Sequence, residues 1–70
     1  MDYEKWIAAV DAILEDVCLK AAVRVYTHND FGDAYNHYYW VGCHTAGQSP
    51  QGAVDLLTLL TGFDNVLNLQ

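Results

Sequence analysis

The chain has 70 residues, a formal charge of −6, a pI near 4.5 and three cations, Lys5, Lys20 and Arg24. Nucleic-acid binding needs several Lys or Arg side chains to displace counterions from phosphates, so this composition excludes a direct DNA or RNA binder and disfavours an anionic membrane surface. An apolar fraction of 53 % argues against disorder and describes one small domain, residues 1–70, with apolar surface to spare for a second copy or a partner.

The first predicted element is an amphipathic helix over residues 3–20. Trp6, Ile7, Val10, Ile13, Leu14, Val17 and Cys18 recur at three- and four-residue steps, and Glu4, Asp11, Glu15 and Asp16 occupy the other face. Asp2 is placed as its N-cap, Glu4 suits the positive end of the helix dipole, and Asp16 and Lys20 are spaced to pair at i,i+4.

Residues 21–28 change character. Val23, Val25, Tyr26 and Thr27 are β-branched or aromatic and read as a strand around Arg24. Asn29, Asp30, Phe31, Gly32 and Asp33 form a turn cluster, with Gly32 suited to a positive φ. Tyr35, Tyr38, Tyr39, Trp40 and Val41 then favour a second strand, so a β-hairpin over 22–43 is expected, with a helix over 33–43 as the alternative. Strand alternation would turn Val23, Val25, Tyr39 and Val41 inward and Arg24, Tyr26, Tyr38 and Trp40 outward.

Residues 45–48 read as a loop. Ser49 and Pro50 mark a helix start, Ala53, Val54, Leu56, Leu57, Leu59 and Leu60 make that helix apolar on much of its circumference, and Gly62 is its C-cap. In the tail, Phe63, Val66, Leu67 and Leu69 are placed to pack back on the core or onto a second copy. The expected fold is therefore α+β, a two-layer helix–hairpin–helix (αββα) domain, with an all-α three-helix domain as the alternative.

Chemistry-bearing residues are sparse in pattern. His28, Asp30, Asp33, His37, Cys43 and His44 are metal-ligating types without zinc spacing, and Cys43 with a histidine lacks any local sign of activation, so neither a metal, a cofactor nor an enzymatic activity is expected. No apolar run approaches the roughly 20 residues of a membrane helix. Asp2, Glu4 and Lys5 stand where a secretory leader would carry its positive and apolar regions, so a cytoplasmic protein with reduced Cys18 and Cys43 is expected, a Cys18–Cys43 bridge being the alternative.

What remains is contact. Residues 25–70 contain no lysine or arginine but hold four of the five tyrosines, Trp40 and the three histidines. Tyr, Trp and acidic groups without cations suit a protein partner with a basic surface. The candidate contact residues are Tyr26, Tyr38 and Trp40 as anchors, Asp30 and Asp33 at the hairpin tip, and Asp11 and Glu15 on the acidic stripe of the first helix. In chain length, acidity, aromatic content and lack of catalytic motifs, the chain resembles the small phage-encoded inhibitors of host defence, anti-CRISPR proteins in particular. That resemblance implies an inhibitor that occupies a surface of a defence complex, in some cases its nucleic-acid groove. A structural homodimer or small subunit, joined through the apolar last helix and tail, is the second expectation.

Overall fold

The computed structural model describes residues 2–31 and 33–68, and of the residues 33–37 only the backbone. Helix α1 spans Tyr3–Ala21, a 3-10 turn spans His28–Asp30, and α2 (Asp33–Thr45), α3 (Pro50–Thr61) and the short α4 (Phe63–Asn68) complete the order. Among the described residues there is no strand, so the αββα expectation is overturned and the architecture is all-α.

The caps lie where local chemistry puts them. The Asp2 carboxylate accepts the Lys5 N–H at 2.9 Å, and the Ser49 hydroxyl accepts the Gly52 N–H at 3.0 Å, with Pro50 in the first turn. Gly62 ends α3 at φ 75°, the left-handed conformation that glycine adopts without a Cβ clash. Two helices close with paired 6→1 and 5→2 backbone bonds. In α2, Gln48 N–H reaches the Cys43 carbonyl at 3.0 Å and Gly47 N–H that of His44 at 3.0 Å. In α1, Val23 N–H reaches Cys18 and Ala22 N–H reaches Leu19, with Ala22 held at φ 58°.

Residues 23–27 are irregular rather than a strand, and the run predicted as the second strand is helical. The reason is burial. Helix propensities separate these residue types by a few tenths of a kcal/mol each, whereas enclosing one large aromatic contributes roughly 2–3 kcal/mol. In α2, Trp40 and Cys43 stand three residues apart on one face and both join the core. Trp40 has no exposed surface and meets Trp6 of α1 edge-on at 6.4 Å. A two-stranded ribbon would have left it outside, and would also have left two open edges.

The core is a single cluster of Trp6, Val10, Leu14 and Cys18 from α1, Trp40 and Cys43 from α2, Ala53, Val54 and Leu57 from α3, and Phe63 from α4. Both cysteines are free thiols. Val66 and Leu67 pack back against the cluster, as the tail's pattern predicts; Leu69 lies outside the described residues. Three aromatic head groups each donate to a backbone carbonyl of another element: Trp6 Nε1 to Gln48 at 2.8 Å, Trp40 Nε1 to His28 at 3.1 Å and Tyr39 Oη to Ala53 at 2.7 Å. Each ring therefore buries its body and places one element against the next.

Candidate functional site

Two features outside the core merit a functional reading: the junction at His28 and the outer surface of α2 and α3. At the junction, the Asp11 carboxylate accepts from the His28 backbone N–H at 2.8 Å and from His28 Nδ1 at 2.9 and 3.0 Å. Trp40 donates to the carbonyl of the same histidine, and the two rings meet edge-on at 6.5 Å. His28 is thereby gripped by α1 on one side and α2 on the other. An aspartate that orients a histidine is half of a nucleophile-activating pair, but the nearest chemistry here is packing. Among the described residues no group of three or more His, Cys, Asp or Glu side chains could hold a metal ion.

Asp11 is thus drawn out of the acidic stripe and used within the fold, while Glu15 remains exposed. Asp30 caps the 3-10 turn. It accepts the Thr27 N–H at 2.7 Å and lies 3.7 Å from Arg24. The Thr27 N–H first, and the Arg24 charge after it, hold the Asp30 carboxyl below its ordinary value. Arg24 in turn covers the Tyr26 ring, 3.8 Å from its centroid, and that ring is half-buried against Phe31 and Phe63. Tyr26 is therefore a wedge under an arginine rather than an outward anchor. Val25, expected inward, is 40 % exposed.

The predicted outward row does not exist as a row. Trp40 is fully buried, so its expected place among exposed anchors is corrected by the helix of α2, which turns it toward α1. Tyr38, two residues earlier and on the opposite face, is 77 % exposed. The Asp33 carboxylate, the Tyr35 and His37 side chains and Gly32 lie outside what is described. His44 sits edge-on to both Tyr3 and Trp6 at 5.5 Å. Burial, then the Asp11 charge, raise the Tyr3 phenol above its ordinary value.

Composition alone pointed to spare apolar surface, and α3 supplies it. Leu59 and Leu60 are 72 % and 67 % exposed and Leu56 is 39 % exposed. A groove of about 280 Å3 runs beside them, lined by Phe31, Tyr39, Leu57, Leu60 and Thr61. Another, of about 330 Å3, lies on the other flank against Val17, Leu59 and Leu67. A helix apolar on so much of its circumference calls for cover on more than one side. With only α1, α2 and α4 to cover α3, one face stays open.

No helix among the described residues is long and apolar enough to cross a membrane. Comparison of the chain with family models, with curated proteins and with solved structures returns no match.

Proposed function

We propose that the chain is a protein-binding inhibitor that works by contact in the cytoplasm of a host cell, occupying a basic surface of a host complex in the manner of the anti-defence proteins it resembles in overall character. The observation that carries this reading is the segregation of charge. All cations lie within the first 24 residues. Two of the three are met by this chain's own carboxylates, Lys20 by Asp16 at 3.0 Å and Arg24 by Asp30 at 3.7 Å. The surface left for a partner therefore offers Glu4, Glu15, Asp55 and Tyr38 with little positive charge among them. Such a field steers a basic partner and speeds its association.

The test is capture from a bacterial lysate on immobilised protein, comparing the native chain with Tyr38→Ala and with Glu4→Gln/Glu15→Gln at low and high salt. The expected result is a basic protein whose capture falls in each variant and at high salt. A captured set that is the same in every condition overturns the reading. The three exposed leucines of α3 favour a second reading, a homodimer through that helix. Light scattering after size exclusion separates the two, because a dilute monomer rejects the dimer.

A further inference from the structure

We infer that the groove shared by α1, α3 and α4 receives a lysine or arginine side chain from a basic partner protein, with its methylene stem on the apolar walls and its cation at Asp55. The inference rests on the basic-partner reading above and gives that contact a place. Val17 of α1, Val54 and Leu59 of α3 and Leu67 of α4 supply the walls, and Gln51 and Asp55 line the same groove. Its volume of about 330 Å3 stands at the foot of the roughly 300–1,000 Å3 typical of small-molecule pockets, which suits one long side chain and the residue beside it.

The polar atoms of the lining favour a cation. Asp55 is the one charged residue among them. Thr58 Oγ1 donates to the Val54 carbonyl at 2.8 Å, so its hydrogen is already used. Gln51 Nε2 donates to Asp55 Oδ1 at 2.9 Å. That bond sets the Gln51 nitrogen toward the carboxylate and leaves Asp55 Oδ2 and Gln51 Oε1 as acceptors. Among the described residues no Lys or Arg of this chain lies within ion-pair distance of Asp55: Lys20 is held by Asp16 at 3.0 Å and Arg24 lies 3.7 Å from Asp30. Asp55 and Leu59 stand one turn apart on α3, a rise of roughly 6 Å. Lysine's four-carbon stem can lie along Leu59 while its ammonium reaches Asp55.

A second copy is the poorer occupant. It brings another net −6 and three Lys or Arg side chains, two of which already have carboxylates. A basic protein surface brings the same cation with an attractive field behind it.

The probe is a labelled amphipathic helical peptide of leucine and lysine, with a control in which glutamate replaces lysine, titrated with the full chain by fluorescence anisotropy. The expected result is saturable binding of the lysine peptide. Asp55→Asn keeps an acceptor for Gln51 but loses the charge, and should weaken binding about threefold or more. Leu59→Ser removes a wall and should weaken it about tenfold. Both residues are exposed, so circular dichroism of their variants should match the parent. Two matched controls measure general attraction to an acidic chain. Asp2→Asn removes the same charge while asparagine retains the cap, and Leu19→Ser removes an exposed leucine of α1. Each should change affinity by less than about twofold. Equal affinity for parent, Asp55→Asn and Leu59→Ser overturns the groove, and so does an equal loss in Asp2→Asn and Asp55→Asn. In either case a glutamate peptide that stays weak keeps the basic-partner reading standing. A glutamate peptide that binds as tightly as the lysine peptide overturns the groove and the basic-partner reading together. A lysine peptide that does not bind overturns the groove, and the lysate capture then decides the broader reading by itself. A dimer in light scattering that Leu59→Ser dissociates assigns the groove to a second copy and also overturns the inference.

Discussion

Ala22 holds a backbone conformation that suits glycine, at φ 58° and ψ 37°. Its Cβ clash is tolerated because two backbone bonds close α1 there. Ala22→Gly should therefore raise stability by about 0.5–1 kcal/mol in urea unfolding. Asp11 and Glu15 look alike in the sequence and differ in the fold. Asp11→Asn removes a charge that binds His28 through two donors and should cost about 1–2 kcal/mol, whereas Glu15→Gln should stay within about 0.5 kcal/mol; the same urea series measures both. Two titrations act in opposite directions. Asp30 has a lowered pKa in the fold, so its contribution is present above the ordinary carboxylate value and is lost as pH falls through the folded one. Tyr39 has a raised pKa, from burial first and the Cys43 thiol next, so its contribution is present below the ordinary phenol value and is lost as pH rises beyond it. Thermal melts across pH should show both limbs, with Asp30→Asn flattening the acid one and Tyr39→Phe the alkaline one.

At the scale of elements, α2 shows most clearly how position on a helix separates neighbours of similar type. Tyr38 and Trp40 are both large aromatics, yet one is 77 % exposed and the other has no exposed surface. Trp40→Ala should cost about 3–5 kcal/mol, most of the stability that a chain of this size commands. Tyr38→Ala should cost less than about 0.5 kcal/mol. Chemical unfolding of the two variants checks this, and it also decides their use: a Trp40 variant reports folding, while a Tyr38 variant reports contact. The α1 and α3 helices were legible because their signals are local. Asp2, Ser49, Pro50 and Gly62 stand where caps are required, and the apolar spacing of α1 has one reading. The α2 run was legible only as the alternative, a helix over 33–43, because Tyr, Trp and Val favour strands and the compensating burial depends on Trp6, 34 residues earlier in the chain.

For the whole molecule the governing quantity is a charge of −6 on 70 residues. The Lys20–Asp16 and Arg24–Asp30 pairs are exposed to solvent and contribute little to stability. Repulsion among the remaining carboxylates therefore outweighs them, and screening it should stabilise the fold. The expected outcome is a melting temperature that rises from low to moderate salt; a melting temperature that falls would mean the pairs dominate.

The sequence by itself determined the chemistry of the surface: the confinement of lysine and arginine to the first 24 residues and the acidic stripe of α1. These are properties of composition and local spacing, which folding does not change. Only the tertiary structure decided which aromatics meet solvent and which carboxylates remain outside. It turned Trp40 into the core, drew Asp11 to His28 and left Leu56, Leu59 and Leu60 uncovered, because burial is settled between elements distant in the chain and not within any one of them.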